Sequence, residues 1–305
     1  MTNTAPSQTT GPQILRAAMW MSGAIASFSL MAVAGRLLGP QHDTFEIMTY
    51  RSLVGFVIVC ALLTARNMWG QITTHRLGLH LIRNLAHFTG QNLWFFAVAI
   101  TPLAQVFALE FTTPLWVILL SPLFLGERFT AVKLLSVLIG LTGIWQVTQV
   151  GNLLELSSVL QGGTGLAAAA ASAIFFATTI ICTKKLTGNI TVACILFYLT
   201  GMQVLFGLGA GLMDGQMALP TASSAPWLVL VGCAGLMAHY CLTNALKTAP
   251  ATVVAPLDFI RLPVIAFVGL VMFNESLTLS LVYGAALIFA ANYINIWFET
   301  HRKPA

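Results

Sequence analysis

The sequence predicts an all-α integral membrane protein, with ten transmembrane helices arranged as two inverted five-helix repeats. Three observations carry this expectation. The 305 residues are 57% hydrophobic and 8% charged, with a mean hydropathy of +0.85. A soluble domain carries about a quarter charged residues, so this chain could not cover a surface in water. Apolar runs of about 20 residues, the length that crosses a bilayer as a helix, recur along the chain. Finally, an ungapped internal repeat runs through it at an offset of 148 residues. Phe28 matches Phe176, Tyr50 matches Tyr198, Phe111 matches Phe259, Glu127 matches Glu275 and Thr130 matches Thr278, while Glu110 falls on Asp258. Duplicated units of this size mark many transporters.

The expected spans are roughly 14–35, 44–65, 77–99, 103–125, 131–149, 165–186, 191–213, 226–247, 252–273 and 278–298. Gly39-Pro40, Thr101-Pro102, Gly126, Gly151, Gly188, Pro220 and Ala249-Pro250 punctuate them. The organisation follows: a disordered cytoplasmic tail over 1–13, a first repeat over 14–149, an extracytoplasmic linker over 150–164, a second repeat over 165–298 and a cytoplasmic tail over 299–305. Ala32-Val33-Ala34 resembles a signal cleavage site, but the apolar run is long and its repeat partner at 165–186 cannot be a signal.

Charge sets the orientation. With the N-terminus in the cytoplasm, the inner side holds Arg16, Arg66, Arg76, Arg83, Arg128, Lys133, Lys184, Lys185, Lys247, Arg302 and Lys303, and the outer side only Arg36. This is the positive-inside pattern of a bacterial inner-membrane protein with both termini cytoplasmic. It also explains the net charge of +5 without nucleic acid. Five spans per copy then force the two copies into opposite topology. The five cysteines sit in apolar runs without metal-ligand spacing, and no cofactor is expected.

The sequence resembles the EamA-type branch of the drug/metabolite transporter superfamily over nearly its whole length. The first copy carries Pro114, then Pro122-Leu123-Phe124-Leu125-Gly126-Glu127-Arg128-Phe129-Thr130, then Gly140 and Gly143; the second carries Pro263, then Phe273-Asn274-Glu275-Ser276-Leu277-Thr278, then Gly284. Asn274 stands where the first copy has glycine, and Arg51 in Tyr50-Arg51-Ser52-Leu53 matches the second span. The resemblance implies ten helices, an inverted five-plus-five repeat, and a pathway lined mainly by spans 1, 3, 4, 6, 8 and 9.

Ionisable groups inside a bilayer cost about 2.5–3.5 kcal/mol each on insertion scales, so they are the candidates for function. Glu110 and Asp258 are repeat partners able to bind a cation or carry a proton. Asp258 and Arg261 are spaced i, i+3, which allows an intrahelical pair, and Arg261 equally suits a substrate carboxylate or phosphate. On the third span Asn84, His87, Gln91 and Trp94 form a stripe; on the eighth, His239, Thr243 and Lys247 form another, with Gln91 and His239 as repeat partners. The histidines suit a proton relay or a bond to a neighbouring helix. Arg51 and Tyr50 complete the candidate set for substrate binding or coupling. Trp20, Phe95, Trp116 and Tyr240 are further aromatics able to stack on a ligand. Prolines 102, 114, 122, 250, 256 and 263 concentrate in spans 4 and 9 and mark them as bent, ligand-lining segments.

These features predict a secondary transporter that moves a small polar organic metabolite by alternating access between the two copies, with proton coupling and a homodimer both compatible. No nucleotide-binding motif is present. Amino acid derivatives, nucleoside-like compounds and flavin-type vitamins all fit, the last because similar family members carry them. A membrane-embedded lipid-modifying enzyme is the alternative, but it needs a nucleophile–base pair or metal cluster that the sequence does not display; a non-transporting membrane subunit is the other.

Overall fold

A computed structural model describes residues 11–125, 130–148, 163–214, 217–249, 254 and 257–301. Glu127, Arg128, Pro250, Pro256, Arg302, Lys303, most of the N-terminal tail and nearly all of the linker expected over 150–164 lie outside them. Every regular element among the described residues is helical. The helices are α1 (Gly11–Leu38), α2 (Thr44–Ala65), α3 (Leu77–Ile100), α4 (Leu103–Glu110), α5 (Thr113–Leu125), α6 (Ala131–Thr148), α7 (Thr164–Leu186), α8 (Val192–Asp214), α9 (Ala225–Thr248), α10 (Arg261–Phe273) and α11 (Leu279–His301). Short 3-10 turns occupy Trp69–Gln71 and Asp258–Ile260.

Local chemistry sets the boundaries. Asp43 caps α2 in a reciprocal box with Glu46, its Oδ1 accepting from the Glu46 N–H at 2.8 Å. Pro102 forces Thr101 into extended backbone and so ends α3. Asn274 ends α10 in the left-handed region at φ 53°, which explains the asparagine at a position where the first copy has glycine: both tolerate this conformation.

The fourth span, expected as one helix over 103–125, is broken. α4 stops at Glu110 and α5 begins at Thr113. Pro114 supplies no N–H for the Glu110 carbonyl four residues back, and the Thr113 hydroxyl donates to that carbonyl instead, at 2.5 Å. In the second copy a 3-10 turn over Asp258–Ile260 stands at the corresponding place, between helical Leu257 and α10, and it carries Asp258.

Six stretches among the described residues are long and apolar enough to cross a membrane, while Ala131–Val147 and Leu279–Asn295 are apolar but shorter. α3 is not among the six because His80, Arg83, Asn84, His87, Gln91 and Asn92 lower its hydropathy, and all of these are buried. The opposite pattern covers the periphery: Leu134, Leu138, Leu141 and Trp145 on α6, and Val282, Phe289 and Tyr293 on α11, are exposed. Polar residues inside and large apolar ones outside suit a lipid solvent.

Four helix pairs dominate the packing: α1 with α9, α3 with α7, α2 with α8 and α6 with α11. The 148-residue offset exchanges the first two pairs and maps the last two onto themselves. Glycines allow the closest approaches. A methyl group on Gly284 would meet the Gly143 carbonyl at 2.8 Å, and one on Gly143 the Gly284 carbonyl at 2.9 Å.

Candidate functional site

The break in the fourth span and the 3-10 turn before α10 face each other across the middle of the bundle. There Nη2 of Arg261 donates to Oε1 of Glu110 at 2.7 Å and to Oδ2 of Asp258 at 2.6 Å. The intrahelical Asp258–Arg261 pair is present, but it is half of a triad with the repeat partner of Asp258. Trp94 Nε1 donates to the second Glu110 oxygen at 2.8 Å. Three rings pack against the guanidinium carbon of Arg261: Phe107 at 4.8 Å, Phe28 at 5.0 Å and Phe111 at 5.5 Å. The charge is thus clamped by carboxylates in one direction and by aromatic faces in others.

A cavity with about 100 Å³ of free space adjoins this triad. α1, α3, α4, α5, α7, α9 and the segment leading into α10 all contribute to it. Seven repeat pairs, each 148 residues apart, supply fourteen of its twenty lining residues: Phe28 with Phe176, Met31 with Thr179, Gln91 with His239, Trp94 with Leu242, Glu110 with Asp258, Phe111 with Phe259, and Thr113 with Arg261. Most of the remainder, Met21, Ile180, Leu246 and Val254, extends the cavity towards one end of the bundle.

The walls are apolar except for a few convergent groups. His87 and His239 meet edge to face, with ring centroids 4.6 Å apart, and His239 also meets Phe28 edge to face at 5.6 Å. Both ring nitrogens of His87, Nε2 of Gln91 and Oδ1 of Asp258 are buried without a hydrogen-bond partner among the described residues. Buried polar atoms are normally satisfied, so these four are the groups a bound solute or water would engage. Among the described residues His87 makes no hydrogen bond to a neighbouring helix, one of the two expectations for it.

Not every candidate converges. Glu110, Asp258, Arg261, His87, Gln91, Trp94 and His239 line the cavity. Tyr50 does not; its hydroxyl donates to the Ala218 carbonyl at 2.8 Å and holds the 217–224 segment against α2. Arg51 lies behind His239 in a separate small cavity. Among the other aromatics, Phe95 packs on Trp94, Trp20 packs on Tyr240, and Trp116 donates to Thr112; Phe95, Trp20, Tyr240 and Trp116 do not line the cavity. Phe28, Phe111, Phe176 and Phe259 do. Their membership in the repeat was the available signal. Arg83, counted with the inner-side charges, is instead buried within α3.

The two ends of the cavity differ. At the end away from Met21 and Leu246, Arg36 Nη2 donates to the Thr101 carbonyl at 2.5 Å and to Glu275 Oε1 at 2.7 Å. The other Glu275 oxygen accepts from the Leu103 N–H at 2.8 Å. One ion pair thereby ties α1, α3, α4 and the α10–α11 turn together. At the opposite end the repeat partner of Arg36, Lys184, donates to the Leu246 carbonyl at 2.7 Å and to that of Ala249 at 3.3 Å. Ala249 is itself the repeat partner of Thr101. No group of three or more potential metal ligands occurs among the described residues.

The model of the EamA-like transporter family matches residues 15–149 and again residues 163–297. A riboflavin transporter of Rhizobium johnstonii is 30% identical over 293 residues, covering 94% of each chain. A riboflavin transporter of Vibrio cholerae is 27% identical, covering 95% of each. An S-adenosylmethionine uptake transporter of Rickettsia bellii is 23% identical and covers 92% of this chain and 93% of its own. A crystal structure of a chain 19% identical superposes with a TM-score of 0.64, covering 92% of this chain and 96% of the other, and so shares the fold.

Proposed function

We propose, from the premise that this chain belongs to the EamA-like transporter family, that it carries a planar heteroaromatic metabolite of the flavin class across the bacterial inner membrane. That it transports a small metabolite follows from the family and from relatives of that function along nearly its whole length. The solute class rests on one observation: an aromatic-walled cavity, built largely from repeat pairs, presents unsatisfied histidine and glutamine nitrogens beside a carboxylate–guanidinium triad. Rings stack on a flat solute, and the free nitrogens read its polar edge. Relatives named as riboflavin transporters support the flavin within this class.

The mechanism we propose is alternating access by two inverted five-helix copies, in a ten-span bundle with both termini cytoplasmic. The repeat pairs in the walls support a site shared between the copies. The Arg36–Glu275 tie closes the outer end, while the additional lining residues lead towards the inner end. The conformation is therefore read as inward-facing. Two carboxylates face one guanidinium, leaving one surplus negative charge, and Asp258 has a free oxygen. This supports the pair as carrier of one coupling proton.

The surplus charge also favours a second reading, a cationic sulfonium solute such as that of the Rickettsia bellii relative. Purified protein in liposomes separates these. Riboflavin uptake that a flavin analogue blocks and an inward proton gradient accelerates supports the first reading. Preference for S-adenosylmethionine supports the second, and uptake of non-aromatic amino acids alone would overturn both.

A further inference from the structure

On the far side of His239 from the transport cavity lies a second, smaller one. Arg51 and Ser52 on α2, Thr200 and Gln203 on α8, and Gly235 and His239 on α9 line it. It has about 10 Å³ of free space, roughly what one water-sized particle occupies.

Its walls hold a charge without a counter-charge. Arg51 is 5% exposed, its Nη1 reaches only the Met48 sulfur at 3.7 Å, and it meets no carboxylate among the described residues. Its Nε has no partner, and neither do Ser52 Oγ nor His239 Nε2 in the same walls. Gln203 continues the network: its Nε2 donates to the Asn84 carbonyl at 2.8 Å, and the Asn84 side chain accepts from Arg83 Nη1 at 2.9 Å. Arg83 is 1% exposed, and its other bond is to the Thr183 hydroxyl at 2.8 Å. Two guanidiniums are thus buried close to one network in which, among the described residues, their acceptors are neutral oxygen and sulfur atoms. Buried charges are ordinarily paired with an opposite charge, because removing an ion from water without one is prohibitive.

Glycine keeps the space open. A methyl group on Gly235 would collide with the Arg51 guanidinium, and one on Gly55 would meet Thr200 at 3.0 Å. Neither guanidinium lines the transport cavity, so the solute does not neutralise them.

We propose that this pocket is an anion site that holds one halide ion, chloride, between the Arg51 Nε–H, the Ser52 hydroxyl and the His239 imidazole N–H. The ion supplies the missing counter-charge. It also fixes which His239 nitrogen carries the proton, and so sets the ring that His239 presents to the transport cavity. Gln203 Oε1 is an acceptor in the same wall; a neutral water would use it, which makes water the competing occupant.

The test uses the whole purified protein without solute. Its thermal unfolding midpoint is measured in sodium chloride, bromide and gluconate at equal ionic strength, alongside chlorine-35 NMR line broadening. The expected result is a saturable rise of several degrees in chloride and bromide, with line broadening, both absent in gluconate. Ser52→Ala, a change of one atom, should weaken chloride binding about tenfold, and Arg51→Gln should abolish it; if Arg51→Gln fails to fold, Ser52→Ala still decides. Equal midpoints in chloride and gluconate with no broadening mean that the pocket holds water, and overturn the proposal. A chloride response undiminished in Ser52→Ala places the ion elsewhere and overturns it equally.

Discussion

Glu110 and Asp258, 148 residues apart, accept hydrogen bonds from the same nitrogen, Nη2 of Arg261, at 2.7 and 2.6 Å. A single cation therefore bridges the two copies at corresponding positions. Removing the guanidinium leaves two buried carboxylates without a counter-charge, which costs about 3–5 kcal/mol. Arg261→Met should lower the thermal unfolding midpoint strongly, and adding Asp258→Asn and Glu110→Gln to it should recover most of the loss. Failure of this rescue would show that Arg261 acts through its packing on Phe28, Phe107 and Phe111 instead.

The single carboxylate variants test transport. Glu110→Gln and Asp258→Asn retain shape and one acceptor oxygen but remove a charge. Each should fold to normal yield and lose about tenfold in proton-driven uptake, roughly 1.4 kcal/mol in the rate-determining step. Counterflow exchange, which needs no net proton movement, should be less affected if the pair carries the proton. Wild-type uptake in both variants would remove the carboxylates from the mechanism.

Glu275 is the titratable half of the Arg36–Glu275 pair, at the end proposed to face outward. Burial raises its carboxyl above the ordinary 4.5, opposed by the Leu103 N–H and by Arg36. A carboxyl raised on folding adds stability that is fully present below pH 4.5 and is lost as pH rises through its folded value. The closure runs the other way: protonation below the folded value uncouples Arg36. Mild acid outside should therefore expose the cavity. In a cysteine-free background, Thr113→Cys should react several-fold faster with an impermeant thiol reagent added outside at pH 5 than at pH 7.5. Glu275→Gln should react at the fast rate at both values. A rate independent of pH and of this substitution would show that the ion pair closes nothing.

The sequence was most informative wherever the repeat and the apolar periodicity agreed. The carboxylate pair, Gln91 with His239, and the helix over 44–65 are legible in it. What escaped depends on distance through space. Arg36 and Glu275 are 239 residues apart, and nothing local in the sequence links a cation counted with the outer side to an acid matched only to its repeat partner Glu127. Arg83 looked like an inner-side cation because it lies near the start of its span, yet α3 buries it against α7. The four cavity phenylalanines appeared as repeat matches without chemistry, since phenylalanine in an apolar span is equally suited to lipid or to the core. The break at Phe111–Thr112 is hidden because one proline allows either a bend or a stop, and the Thr113 hydroxyl decides between them.

The glycines of α6 and α11 make a stability prediction. The Gly143 and Gly284 carbonyls each lie within 3 Å of where a methyl group on the other would sit. Rigid backbone cannot yield as a side chain can. Gly284→Ala should force the helices apart and cost about 1–3 kcal/mol, the usual range for overpacking. A Gly209→Ala control, where a methyl group meets nothing within 4 Å, should leave the midpoint unchanged or raise it. Equal behaviour of the two variants would show that α6 and α11 do not approach this closely.

Trp94 tests whether Glu110 must be held as well as charged. Its Nε1–H donates to the Glu110 oxygen that Arg261 does not use. Trp94→Phe keeps an aromatic ring on the cavity wall but removes that donor, leaving a mostly buried carboxylate oxygen unpaired at a cost of about 1–3 kcal/mol. Uptake should fall, mainly as a higher KM, with a modest change in unfolding midpoint. The decisive measurement is the double variant. If the tryptophan acts through the carboxylate, Trp94→Phe in a Glu110→Gln background should cause little further loss, because the charged acceptor it orients is already gone. Losses that multiply instead would mean that Trp94 serves the solute directly, as a stacking surface, and that its bond to Glu110 is incidental to transport.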